Sequence, residues 1–366
     1  MKFFSEGFTS RSYFNICKQI VCGSYKEQVE KYNFSFNFSD ENEMNAWTSL
    51  LDNGSDYLVV NVGTLIELFS LTKTTFGQKD CFESIGIAKN ENNSGVQGFF
   101  DEKNCNLYFT GTPKDSVRER ASTCAALFAF RFIGTHELGH ILNGHTSYLK
   151  KMYMNSKIGM RNEKITRCDA YCLDRRTLEM DADAAAATAS IDNVIMLYHN
   201  EFDEFLSTLF KKKEEIFGLW SFAICSVFML FESLMTTTYN KNGYYLPNKA
   251  RFYMAMGSAY ETAKEYVNYD IVPELKENKA MIVKEVFYGI EQAEKIFLKK
   301  GFAFSWIKDF FEESELYIEY SDEVLCNWDN NLENKLEKYA RTPLYNKDKM
   351  GAVFEQLKRI HDSGRL

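Results

Sequence analysis

The longest helical pattern of apolar positions runs from Ser116 to Asn143. Ser116-Val117-Arg118-Glu119 fits a capping box, in which the Ser116 and Glu119 side chains each accept a backbone N–H at the helix start. Ala121 to Phe132 is almost wholly apolar, which predicts a buried first half, and Gly144 is a natural stop. The expected helix is about 28 residues long. A second strong pattern covers Leu173 to Leu197 and contains four consecutive alanines, Ala184 to Ala187. Small residues let two backbones approach closely, and the expected neighbour is the first helix.

Shorter patterns fill the remainder. Residues 1 to about 30 read as amphipathic helix. Asn33 to Phe38 alternates polar and aromatic residues, and Asp56 to Val62 is a short apolar run, so both predict strands. Ser39 to Leu51 reads as a helix with an acidic start, and Thr64 to Leu71 as a returning helix. Residues 89 to 96 are rich in Asn, Glu and Gly and predict an exposed loop. Gly98 to Phe100 and Asn106 to Thr110 flank a polar turn and predict a hairpin. Its edge, through Asn106 and Tyr108, is a candidate to pair with an extended peptide; the alternative is an inner strand of a small sheet. Residues 146 to 172 are basic and weakly periodic, and read as a solvated connector, the alternative being a lid or substrate-contacting segment over the site at the end of the first helix. After Asn248 the pattern predicts helices over 248–268, 274–299, 303–341 with a break, and 346–362. The expected class is α+β, predominantly helical. It divides into a mixed N-terminal region (1–112), a core built on the two long helices (113–240) and a helical C-terminal region (241–366).

Composition narrows this picture. The chain is 45% hydrophobic and 15% aromatic with only four prolines, which suits a large, helix-rich core. Its net charge of -8 argues against general nucleic-acid binding, which needs a basic face. Nine cysteines without a regular framework, and an acid at Glu6 before any apolar run, predict reduced thiols and a cytoplasmic protein. Ile216 to Phe231 is the most apolar run, but its 16 residues fall short of the roughly 20 that a spanning helix needs. A buried core helix is the expectation, with membrane association as the alternative.

The chemistry concentrates at the end of the first helix. The chain has five histidines, and His136, His140 and His145 fall within ten residues of one another. His136-Glu137-Leu138-Gly139-His140 matches H-E-x-x-H. Residues four apart share a helix face, so the two histidines can grip one metal ion while Glu137 serves as a proton acceptor beside it. A zinc site needs a third protein ligand. His145 is one candidate, although its spacing is one residue short of the metzincin pattern. Glu179 is another; it shares a helix face with Asp183, four residues on. Cys168 or Cys172 is a third, better suited to structural zinc. A plain solvated acidic face remains the alternative for Glu179 and Asp183.

His136 to His145, followed by Glu179-x-x-Ala182-Asp183-x-x-Ala186, resembles the gluzincin metallopeptidases over about residues 116 to 190. The nearest groups are the HtpX-type and CAAX-prenyl proteases, the ImmA/IrrE group and the Lit-like phage-exclusion peptidases. The resemblance implies a zincin-like core, with Zn2+ on His136, His140 and Glu179. It makes Glu137 the base and Asp183 the residue orienting His136, with His145 in a supporting position. HtpX-like enzymes carry His-Pro followed by Arg; here Leu246 replaces that histidine, while Pro247 and Arg251 keep the spacing. By that echo Arg251 approaches the site and Tyr245 or Tyr244 supplies a hydroxyl donor. With one doubtful apolar run, the soluble branches fit better than the membrane-spanning ones. The implied activity is a zinc endopeptidase cutting a specific intracellular protein, in phage exclusion or in stress or repressor control. The rivals are a non-catalytic zinc-binding sensor or scaffold and a membrane-associated HtpX-like protease.

Overall fold

The architecture follows from a computed structural model. It describes residues 10–24, 34–92, 95–103, 106–154, 157–159, 169–199, 204–234, 243–312 and 314–344. The principal described elements in chain order are α1 (Ser10–Ser24), β1 (Phe34–Ser39), β2 (Ala46–Leu50), β3 (Asp56–Asn61), α2 (Val62–Phe76), β4 (Gln97–Asp101) and β5 (Asn106–Thr110). They continue with α3 (Ser116–Leu142), α4 (His145–Tyr153), β6 (Lys157–Gly159), α5 (Asp169–His199), α6 (Glu204–Leu209) and α7 (Glu215–Leu234). Last come α8 (Asn248–Asn268), α9 (Lys279–Lys299), α10 (Trp306–Glu312) and α11 (Ser314–Asn327). The chain is α+β and mostly helical, as its patterning predicts. The helices expected over 346–362 and the basic residues Arg161, Lys164 and Arg167 lie outside the described residues, as does Cys168.

One sheet has the order β1-β3-β2-β6, with β1 parallel to β3 and the other pairs antiparallel. The helix expected over Ser39 to Leu51 is corrected here: Ala46 to Leu50 is the inner strand β2. Ala46 and Thr48 are buried and alternate with half-exposed Trp47 and Ser49, a period of two. The acidic residues before it do not start a helix because their backbone serves α2 instead. The Glu41 carbonyl accepts the Gly63 N–H (3.0 Å), and the Asn45 carbonyl accepts the Thr64 hydroxyl (2.8 Å).

The hairpin β4–β5 forms its own two-stranded sheet. It packs on α1 and α2, with Phe109 against Tyr13 and Phe69. The 89–96 loop is not simply exposed. Glu91 is buried and its carboxylate accepts the N–H groups of Lys114 (3.1 Å) and Asp115 (2.8 Å). It thereby aims the chain into α3.

The main core joins α1, the first sheet, α2, α3, α5, α7, α8 and α9 without a break between the N-terminal, central and C-terminal stretches. α7 is its centre: Ile216 to Phe231 is buried throughout, packed mainly on α9 and α3. By length and composition this helix could cross a membrane, and 89% of its apolar window is covered by protein. A smaller core holds Tyr148, Leu149, Ile158, Leu178, Tyr245 and Leu336. The stretch after α3 is therefore more than a solvated connector, because α4 and β6 both contribute to it.

Candidate metal centre

α3 is anchored before it reaches the site. Its N-cap is Asp115 rather than Ser116: the Asp115 carboxylate accepts the N–H groups of Val117 (2.9 Å) and Arg118 (3.0 Å). Glu119 is thus released from the expected capping box and pairs with the buried Lys73. Arg118, fully buried, donates to the carbonyls of Phe76, Gln78, Cys81, Phe82 and Ile85. These contacts fix the helix at its far end.

The near end terminates at Gly144, whose φ of +78° belongs to the left-handed region. A Cβ there would also stand 2.4 Å from the Tyr339 carbonyl carbon. This turn starts α4 at once and folds His145 back toward α3. Alongside, Gly139 faces Ala182 and Ala185 of α5, with only 3.5 Å from a Cβ built at Gly139 to either residue. The alanine run therefore does what its composition predicts and brings α5 onto the metal helix.

Three donor atoms converge where the helices meet. His136 Nε2 lies 3.1 Å from His140 Nε2. The Glu179 carboxylate lies 3.4 Å from His136 Nε2 and 3.7 Å from His140 Nε2. The two Glu179 distances are to different oxygens, Oε2 for His136 and Oε1 for His140, and one donor atom from each of the three residues lies within 4.8 Å of the other two. All three residues are buried, and together they could hold a metal ion. Glu137 is also fully buried, and neither of its carboxylate oxygens has a hydrogen-bond partner among the described residues. An orphaned buried carboxylate is costly unless something else occupies the site beside it.

Each histidine has its own acidic anchor, and the two anchors straddle Ala182. On one side His136 Nδ1 lies 2.9 Å from Asp183 Oδ1. On the other, His140 Nδ1 lies 2.8 Å from His145 Nδ1, and His145 Nε2 lies 3.0 Å from Asp181 Oδ2. Asn143 donates to the same Asp181 oxygen at 2.5 Å. Successive helical residues turn by about 100°, so Asp181 and Asp183 reach to opposite sides of the close contact that Ala182 makes with Gly139. If both ligand histidines point Nε2 lone pairs at a metal, the proton order is set. His140 Nδ1–H donates to His145, and His145 Nε2–H donates to Asp181.

Two guanidinium groups close the cluster. Arg251 donates to Asp183 at 2.7 and 3.0 Å and to Glu179 at 3.3 Å. Arg175 donates to Glu179 at 3.4 Å and to the Tyr245 hydroxyl at 3.4 Å. The carboxylates of Glu137, Glu179, Asp181 and Asp183 thus share the cluster with these two arginines and with His136, His140 and His145. With no metal bound, burial drives Glu137 up to about 8. Burial would lower His136, but hydrogen bonds and charge from Asp183 and Glu179 outweigh it and raise it to about 10. His140 falls well below its ordinary value, through burial and then through the charges of His136 and His145. Burial would raise Asp183, and the Arg251 charge beside it prevails and lowers it.

The structure therefore brings His136, Glu137, His140, His145, Glu179, Asp183, Tyr245 and Arg251 into one cluster. Arg251 reaches the site, as its spacing after Pro247 implies, and its guanidinium is bound to Asp183 and Glu179. Asn106 and Tyr108 are not at the site: the Asn106 amide donates to the Tyr108 hydroxyl (3.3 Å), and Tyr108 is exposed. Their hairpin neighbour Phe109 lies beside Lys73, the partner of Glu119. Glu119 precedes His136 by roughly 25 Å of helix, at 1.5 Å per residue. Sequence reasoning missed Arg175, Asn143 and Asp181. The i,i+4 spacing of Arg175 and Glu179 was a usable signal, and so was the Asp181-Ala182-Asp183 pattern; Asn143 had none. Cys172 is buried and packs in the small core. Set against family models, curated proteins and solved structures, the chain has no significant match, so the reading of this centre rests on its own residues.

Proposed function

We propose that the chain is a zinc-dependent endopeptidase of gluzincin type that cuts a specific intracellular protein. The observation that carries this reading is the Glu137 carboxylate. It is fully buried, unpartnered among the described residues, and adjacent in sequence to one of three converging metal-ligand side chains. Zinc would be held by His136, His140 and Glu179, and would supply Lewis acidity that lowers the pKa of an attacking water toward about 7. Glu137 takes the proton of that water and returns it to the leaving amine. Asp183 and the His145–Asp181 pair hold the two imidazoles in the ligating tautomer. Arg251 and Arg175 donate to the Glu179 carboxylate and hold it in place. An extended substrate segment is assigned to the β6 edge, because Ile158 shares the small core with Tyr245 and Leu178. The hairpin around Asn106 and Tyr108 has no such link.

A second reading rests on burial. His136, Glu137 and His140 are each 0% exposed. A closed centre also suits a sensor or scaffold that holds metal without cutting. One experiment separates the two. Zinc content is measured in the purified protein, and new protein N-termini are compared in cells carrying wild type or Glu137→Gln. Zinc in both proteins, with new N-termini only in wild type, supports the peptidase. A fall in cleavage of about 10²–10⁴-fold is the expected size of a lost general base. Zinc in both with no cleavage by wild type favours the sensor. No stoichiometric metal in wild type sinks both readings.

A further inference from the structure

On the side of α8 away from the metal centre, a cavity of about 830 Å³ opens between α8, α9 and α10. Its volume is in the range of small-molecule sites. The walls are apolar: Phe252, Met256, Ile282, Val286, Ile290 and Trp306 are among them. The polar groups of the wall are satisfied inward. Trp220 Nε1 donates to Ser190 (2.7 Å), and the Tyr253 hydroxyl donates to the Trp306 carbonyl. The deep end therefore offers a ligand no polar handle.

The mouth is different. The charged side chains that line the cavity are Lys264, Lys276 and Lys279, with no acid among them. They gather where the C-terminal end of α8 meets the start of α9, opposite the Trp306 and Phe310 end. Lys264 is paired with Glu261, and Lys279 lies over the Tyr260 ring at 5.9 Å. Along α8, Phe252 to Asn268 spans roughly 24 Å at 1.5 Å per residue, so the space is a long slot.

Gly257 gives an independent sign that this space is kept open. It sits in the middle of α8, where glycine costs about 1 kcal/mol relative to alanine. A Cβ built there meets nothing within 4 Å, so no packing neighbour demands a glycine. The residue lines the cavity. A helix that accepts this cost on its cavity face retains depth at the expense of stability.

We propose that this slot binds a long-chain carboxylate, with the acyl chain along α8 toward Trp306 and the carboxylate among Lys264, Lys276 and Lys279. An anionic head is favoured by the Lys276 and Lys279 ammonium groups at the rim, and a single chain by an apolar interior with one polar end. This is independent of the metal chemistry proposed above.

The test uses the full chain and hexadecanoate, titrated calorimetrically below its aggregation concentration, with hexadecyltrimethylammonium as the cationic control. The expected result is saturable binding of one hexadecanoate per chain, with much weaker binding of the cation. Gly257→Phe places a ring in the slot from a position where a Cβ meets nothing within 4 Å. It should weaken binding by at least about tenfold, in line with lost apolar burial, while melting temperature holds. The pair Lys276→Glu and Lys279→Glu should weaken hexadecanoate and strengthen the cation. Failure of wild type to bind hexadecanoate overturns the proposal, as does equal binding by Gly257→Phe. Two other occupants are scored in the same samples. Co-sedimentation with phosphatidylglycerol vesicles, without uptake of free hexadecanoate, would assign the slot to a membrane surface. A dimer in sedimentation that Gly257→Phe dissociates would assign it to a second copy of the chain.

Discussion

One helix, α8, serves two regions built on opposite principles. Its first turn delivers Arg251 into the metal centre, where buried charges are matched by opposite charges or by hydrogen bonds. Its remaining turns wall the apolar cavity, where the polar groups have been turned inward and the only charges stand at the rim. In the first region burial is tolerated because each ionised group has a partner, Glu137 being the exception. In the second, apolar surface is left uncovered although a neighbour could have filled it. Glu137 and the empty space at Gly257 are departures from what folding alone would favour, and such departures mark function better than well-satisfied contacts do.

The comparison can be broken first at Arg251. Arg251→Ala leaves Asp183 and Glu179 buried without their cation and should cost about 3–5 kcal/mol. Chemical denaturation of the chelated protein measures it. Loss of less than about 1 kcal/mol would mean the cluster is solvated in solution, and the contrast between the regions would collapse.

The next test concerns a buried carboxyl of α5 outside the metal centre, beside Tyr266 and Arg131. Asp192 follows Ile191, which lines the cavity, and burial raises its pKa to about 7, although Tyr266 and Arg131 lower it in part. The unfolded chain titrates this group near 3.8, so between about pH 4 and 7 the folded state holds more protons. Stability from this group is therefore full below pH 4, falls as pH rises to 7, and is level above. Asp192→Asn should remove that slope. Melting curves of chelated wild type and variant across pH 4 to 8 decide it, and parallel curves would show that Asp192 is ionised in the fold throughout.

A smaller effect is expected at His145. His145→Ala removes the link between His140 and Asp181 and should weaken zinc by about 10–100-fold, with the fold retained. Competition with a chelator of known affinity reads it directly. His145→Gln, which can still accept from His140, should recover part of the loss. The smallest effect sharpens the cavity side: Gly257→Ala should stabilise the protein by about 1 kcal/mol. Gly144→Ala, by contrast, should destabilise it, because both the left-handed backbone and Tyr339 exclude a Cβ.

Much of the metal centre was legible because its spacing is local. His136 and His140 share a face of one helix, and Glu179 and Asp183 share a face of the next. Helical periodicity and a run of alanines sufficed to place the two helices together. The strand at Ala46 to Leu50 was misread because an acidic run before it mimics the first turn of a helix. The backbone of that run is claimed by α2, a contact invisible to local propensity. The Ser116 cap was displaced by one residue for a similar reason, since Lys73 competes for Glu119.

Sequence alone placed His136 and His140 on one helix face and Glu179 and Asp183 on another, and gave the apolar character of α7 and the α+β class, because each is written in periodicity over a few turns. The tertiary structure decided everything that joins distant segments. It turned Arg251 onto the Asp183 and Glu179 carboxylates across some seventy residues of chain, folded His145 back through Gly144, and placed the Asn106–Tyr108 hairpin at the far end of α3. It also left the slot along α8 open. These outcomes depend on which buried charges and surfaces meet in space, and hydrophobic periodicity specifies only which face of an element is buried, not what it is buried against.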